Sequence, residues 1–132
     1  GKTVLTRKKP NRGQLEDIRF GWEIAKESGR LDIGQSVVVK DKAVLAVEAI
    51  EGTDEAIKRG GALGNGNVVV VKVAKPKQDM RFDVPTLGIR TIEAMIKARA
   101  AVLAFEAGKT IMLDQKKIIE QADKNGMSIL GM

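Results

Sequence analysis

The sequence predicts an α/β domain, a single mixed β-sheet with helices packed on it. Three observations carry that prediction. The chain has 132 residues, enough for one domain with a real hydrophobic core. Val68–Val71 is an unbroken β-branched run, the pattern of a strand covered on both faces. From that run onward, strand-like and helix-like stretches alternate, as they do when helices pack on a sheet. No internal repeat or low-complexity segment interrupts them.

In chain order, residues 1–12 read as a basic arm or linker in which Thr3–Thr6 can pair as a short edge strand. Asn11 and Gln14 have the spacing of a capping box, although Asn is not its usual first member. The helix that follows carries Leu15, Ile18, Trp22 and Ala25 on one face and ends at Gly29. Trp22 on that face reads as core. Ser36–Lys40 and Ala43–Ala49 flank a two-residue Asp41-Lys42 connection, which predicts a hairpin. Thr53 or Asp54 then caps a short helix through Arg59, with Gly60-Gly61 as its stop.

Gly64–Asn67 (GNGN) is a turn into the Val68 strand. Thr86 is placed to cap a helix near Gly88–Arg99, with Ile89, Ile92 and Ile96 facing inward. Ala101–Phe105 and Thr110–Leu113 are strands joined through Glu106–Lys109. Asp114 caps a last helix to Lys124, ended by Asn125-Gly126, and Met127–Leu130 is a final strand.

Composition removes several kinds of chemistry. With no Cys there is no disulfide, zinc–thiolate site or thiol nucleophile, and with no His the commonest general base and metal ligand are missing. Catalysis would rest on Asp, Glu, Lys, Arg, Ser or Thr. No apolar run approaches the roughly 20 residues of a membrane span, and no signal-peptide pattern is present. The chain starts at Gly1, which reads as an excised piece of a longer protein.

The net charge of +6 raises a nucleic-acid reading, but its distribution argues against it. Lys2, Arg7, Lys8, Lys9 and Arg12 stand in the arm without an acid, and the rest of the chain is left at about +1. Only Phe20, Trp22, Phe82 and Phe105 are aromatic, too few for a base-stacking platform. The basic run reads as solvated.

The stretch Val68–Thr86 concentrates the candidate chemistry. A buried strand runs into Lys72, Lys75, Lys77, Gln78, Asp79, Arg81 and Asp83, braced by Pro76 and Pro85. Strand ends of this kind are where α/β domains place ligand sites. Asp79 and Asp83 can share a hard divalent cation, since Mg²⁺ often takes one or two carboxylates plus substrate phosphate. The neighbouring cations suit phosphate oxygens. The plainer alternative is a solvated loop whose ions pair with one another. Glu51-Gly52-Thr53-Asp54 is either an anion or metal pocket at a helix start or only acidic residues favouring the helix dipole. Arg59-Gly60-Gly61 is either a phosphate contact or a C-cap, and Glu106 either a ligand or a polar strand end.

Asp17–Gly61, Lys72–Gly88 (KVAKPKQDMRFDVPTLG) and Phe105–Asp114 (FEAGKTIMLD) together resemble the C-terminal domain of the LpxI-type UDP-2,3-diacylglucosamine pyrophosphatases. The likeness covers nearly the whole chain in order, in long blocks. It implies a Gram-negative lipid A biosynthesis enzyme that hydrolyses UDP-2,3-diacylglucosamine to lipid X and UMP, with water attacking the phosphorus nearer the sugar.

It further implies a divalent cation, usually Mg²⁺, and action in the cytoplasm at the inner-membrane face. Residues 13–132 would be the C-terminal catalytic domain of a two-domain enzyme whose N-terminal domain is absent here, with the site between the two domains. The fragment would then be inactive alone, and an oligomer is compatible with the family.

On this reading Asp79, Asp83 and Gln78 are catalytic. Lys72, Lys75, Arg81 and Thr53 bind substrate phosphate, and Asp79, Asp83, Asp54 and Glu51 supply metal ligands. Water activation and metal binding are not divided between the two loop aspartates, and where the acyl chains lie is not visible. The rival class is a non-catalytic nucleotide- or nucleic-acid-binding module, which needs no divalent ion and tolerates loss of Asp79.

Overall fold

The computed structural model describes residues 2–76 and 84–132. Among them the strands are β1 (Thr3–Val4), β2 (Ser36–Lys40), β3 (Ala43–Val47), β4 (Val69–Lys72), β5 (Thr86–Leu87), β6 (Val102–Phe105), β7 (Ile111–Met112) and β8 (Ser128–Gly131). The helices are α1 (Arg12–Arg30), α2 (Thr53–Leu63), α3 (Ile89–Lys97) and α4 (Gln115–Lys124). Six strands form one mixed sheet in the order β1-β8-β6-β4-β2-β3. β4, β6 and β8 are parallel, whereas β2 runs antiparallel to β3 and β4, and β1 to β8. β5 and β7 make a separate parallel pair.

The two periodicities in the sequence build three layers. Alternate strand residues point to opposite faces. Val37, Val39, Val69, Val71, Val102 and Ala104 pack against Ile18 and Ala25 of α1. Val38, Val70, Leu103 and Ile129 pack against Ile57 of α2, Ile92 and Met95 of α3, and Ile118 and Ala122 of α4. The central strands are covered on both faces, and β4 is buried throughout, as the valine run predicts. Trp22 is half-buried in the α1 layer, consistent with a core position.

The capping box forms as expected. Gln14 N donates to Asn11 Oδ1 at 2.8 Å, and Asn11 N donates to Gln14 Oε1 at 2.9 Å. The hairpin turn also forms. Asp41 and Lys42 both take positive φ (51° and 60°), which matches the primed turns that follow strand twist. Their N–H groups donate to the buried Asp17 carboxylate at 3.0 and 2.8 Å, tying the turn to α1. Thr3–Val4 is an edge strand, and Thr6 extends its grip by accepting from Ile129 N at 3.0 Å.

Three expectations fail. Neither Thr53 nor Asp54 caps α2; both lie inside its first turn, and the N-cap is Gly52 with no side-chain capping bond. Gly60 and Gly61 do not stop α2, which continues to Leu63. They are there for close approach. A Cβ on Gly60 would stand 2.5 Å from Val38 Cβ, and one on Gly61 would stand 2.5 Å from Ala98 Cβ. Thr86 does not cap α3. It lies in β5, where it pairs with Ile111, and the N-cap is Gly88. Asp114 does hold the N-cap position of α4, but in a left-handed conformation (φ 53°) with no side-chain capping bond.

Candidate functional site at the carboxyl end of the central strand

β4 ends at Lys72, and the polar side chains of three neighbouring elements gather around it. Lys72 is only 7% exposed, and its Nζ donates to Thr86 O at 3.2 Å. Burial pushes its ammonium below the ordinary lysine value, and the charges of Glu48 and Asp54 oppose that fall. Glu48 follows β3 and faces the start of α2, where Thr53 Oγ1 donates to Glu48 Oε1 at 2.7 Å. Thr53 Oγ1 also lies 3.3 Å from Oγ of the fully buried Ser36, the β2 residue paired with Lys72. Asp54 accepts from Thr91 Oγ1 at 3.0 Å, joining the first turn of α2 to that of α3.

The sequence folds this way because α2 and α3 run side by side. They touch at their starts through Asp54 and Thr91, and seven residues later through Gly61 and Ala98. Their N-caps, Gly52 and Gly88, make no side-chain capping bond. Of the first-turn N–H groups, Thr91 N donates to Gly88 O at 3.2 Å. The positive dipole end of α2 stands near Lys72 through Asp54, and the N-cap of α3 lies two residues beyond Thr86, whose carbonyl Lys72 holds. An arrangement of this kind favours an anion. A groove of about 620 Å³ runs from Asp54 between the two helices, lined by both signs of charge, with Lys58, Arg90 and Lys97 beside Glu55 and Glu93.

The predicted site residues divide into three sets. Lys72, Thr53 and Asp54 come together at the end of β4. Glu51 turns elsewhere, to Arg59, at 2.6 Å, which holds its carboxyl below the usual range. Arg59 also donates to Val47 O at 3.0 Å. Lys75 pairs with Asp32 at 2.9 Å. Gln78, Asp79, Arg81 and Asp83 lie outside the described residues. Among the described residues no group of three or more Asp or Glu side chains is placed to hold a metal ion.

Ser36, Glu48 and Thr91 are site neighbours that sequence reasoning missed. A serine heading the three valines of Ser36–Lys40, and a glutamate breaking the Ala43–Ala49 run, were the available signals. Glu106 proves to be more than a strand end. Its Oε1 is 2.5 Å from Lys26 Nζ and accepts from Ala74 N at 2.9 Å. Burial pushes its carboxyl up, but the bonds from Lys26 and Ala74 N and the charges of Lys26 and Lys109 outweigh this and hold it low.

The sequence matches the model of the LpxI C-terminal domain over residues 1–130. The chain belongs to the LpxI C-terminal domain family. It is 40% identical over 126 residues to the UDP-2,3-diacylglucosamine pyrophosphatase LpxI of Caulobacter vibrioides, covering 89% of this chain and 45% of that protein. It is also 28% identical over 132 residues to the bifunctional purine biosynthesis protein PurH of a Thermoanaerobacter species, covering 96% of this chain and 23% of that one. The chain therefore spans less than half the length of the curated relatives it matches. The LpxI match takes in the arm, Lys72 and the Lys77–Asp83 stretch together. No helix among the described residues is long and apolar enough to cross a membrane.

Proposed function

We propose that this chain is the part of an LpxI-type enzyme that binds and helps cleave the pyrophosphate of UDP-2,3-diacylglucosamine, giving lipid X and UMP. The observation that carries the proposal is the 40% identity to an LpxI pyrophosphatase. The site's chemistry supports it, because a diphosphate ester brings negative charge to a place that offers a buried ammonium and two helix starts. Lys72 meets a phosphate oxygen there and stabilises charge as it builds in the transition state. Thr53 and Asp54 line the same end of the sheet, Lys75 and Arg81 add cations, and Gln78 orients water or a phosphate oxygen.

A divalent cation such as Mg²⁺, once bound, would supply neutralisation of the substrate's negative charge. Asp54, held by Thr91, together with Asp79 and Asp83, offers oxygen ligands of the type such an ion takes. Glu51 is the weaker candidate because Arg59 engages it. In the whole protein this domain would work with an N-terminal partner domain, in the cytoplasm beside the inner membrane.

The test uses full-length protein and measures UMP release. Chelation is expected to abolish turnover and Mg²⁺ to restore it. Asp79→Ala is expected to lower turnover at least about 100-fold, because losing a carboxylate that holds the metal or aligns the attacking water removes a few kcal/mol of transition-state stabilisation. Near-normal turnover of Asp79→Ala, with collapse in Asp83→Ala, would move the role to Asp83. Metal-independent turnover would remove the cation from the proposal.

A further inference from the structure

The backbone hydrogen bonds of β4 are accounted for up to Val73. Lys72 pairs with Ser36 and Phe105, and Val73 N donates to Gln35 O at 2.9 Å. Beyond that point two side chains take over. Lys26 of α1 donates from Nζ to Ala74 O at 3.2 Å, and Glu106 Oε1 accepts from Ala74 N at 2.9 Å. The same two side chains are bonded to each other at 2.5 Å. Both peptide groups of Ala74 are thereby satisfied by one ion pair rather than by a strand. Glu106 also reaches back, donating its own N–H to Lys72 O at 3.2 Å. One residue at the end of β6 thus holds both ends of the Lys72–Ala74 stretch.

The pair is built into the structure rather than lying on its surface. The Glu106 side chain is 13% exposed and that of Lys26 32%. Nearby, α1 runs along the exit of β4, where a Cβ added at Gly29 would make ordinary contact, 3.5 Å, with Lys75 Cα and Pro76 Cδ. α1 contributes no residue to the cluster around Lys72, yet its carboxyl-terminal half is shaped to the exit of β4.

We propose that Lys26 and Glu106 are positioning residues, a paired clamp that fixes the β4 exit from Lys72 to Ala74 for the phosphoryl reaction. This rests on the reading that Lys72 meets the substrate's phosphate. A site held a fraction of an ångström out of place loses rate rather than fold, which is the signature that separates positioning from plain structural support.

The experiment uses full-length protein carrying Lys26→Met, Glu106→Leu, the double change, and the conservative Lys26→Arg. Two readouts are taken: kcat and KM with UDP-2,3-diacylglucosamine, and amide exchange at Ala74. We expect exchange at Ala74 to rise about 10-fold or more in Lys26→Met and Glu106→Leu, with the β6 and β8 core amides unchanged. Over the same variants kcat should fall about 10-fold with KM moving less than about 2-fold. The double variant should be no worse than either single change, because both remove one clamp, and Lys26→Arg should recover most of the kcat.

Unchanged Ala74 exchange would overturn the clamp. Faster exchange with wild-type kcat would reduce it to structural support and overturn its positioning role. If the unmodified enzyme fails to release UMP at all, the proposed function falls instead, and the exchange data judge the clamp separately.

Discussion

Lys72→Met in the full-length protein is expected to lower turnover roughly 1000-fold while leaving stability within about 1 kcal/mol. The argument starts from burial. An ammonium only 7% exposed, with its pKa held down by desolvation, is a group that folding does not favour. With its folded pKa below its unfolded one, the unfolded chain binds more protons between the two values. Stability therefore rises with pH through that window, and the cost of the charge is fully present below it. Methionine keeps most of the side-chain volume and removes that cost. It also removes the bond to Thr86 O and the attraction to Glu48 and Asp54, and these losses roughly offset the gain. On the proposed function the transition state has no such compensation, because the charge growing on phosphate would lose its buried partner. Turnover, substrate affinity and melting temperature of Lys72→Met and Lys72→Arg settle the matter. Full turnover in Lys72→Met would remove Lys72 from the phosphate.

Gly60→Ala is expected to destabilise the domain by about 2 kcal/mol, although alanine is the better helix former by about 1 kcal/mol. Gly60 is buried in α2, and a Cβ there would come within 2.5–2.8 Å of Val38 Cβ, Cγ1 and Cγ2. Val38 is a fully buried β-branched residue in β2, between β3 and β4, so it has no room to yield. Overpacking of this kind costs about 1–3 kcal/mol or more and outweighs the helix-propensity gain. The expected fall in melting temperature is about 5–10 °C. The variant would also lift α2 from the sheet, and the N-terminus of α2 carries Thr53 and Asp54, so site geometry should suffer with stability. An unchanged or raised melting temperature would show that α2 can shift at no cost.

The outcome for these glycines illustrates which features could be read from the sequence. Periodicity located the four helices and the central strands, because burial on one or two faces writes itself into residue order. Val68–Val71 and the Asp41-Lys42 turn are the clearest cases. Gly60-Gly61 misled because a helix stop and a close helix–sheet contact use the same residue for different reasons. Only the positions of Val38, against Gly60, and of Ala98, against Gly61, decide between them. Thr86 misled because the β5–β7 pair joins two-residue strands too short to carry a pattern.

Within the candidate site, Lys72, Thr53 and Asp54 were found because charge or helix-capping chemistry marks them locally. Ser36, Glu48 and Thr91 contribute through bonds to residues from other elements, which residue order does not show. Lys26 is the extreme case, since nothing near it in the chain points to Ala74. Gln78, Asp79, Arg81 and Asp83 lie outside the described residues, and their roles remain proposals.

The edge strand has a consequence for how the domain assembles. Thr3 pairs with Gly131, so β1 joins opposite ends of the chain, whereas the β2–β3 hairpin closes across a two-residue turn. Closing a long loop costs more entropy than closing a short one, and two residues return little for it. The hairpin is thus suited to early formation and β1 to docking last, once β8 is in place. The same order reversed describes loss of structure, in which β1 frays before the central strands open. Lys72 sits in β4, with β8 and β6 between it and that edge strand, in the part of the sheet that opens late.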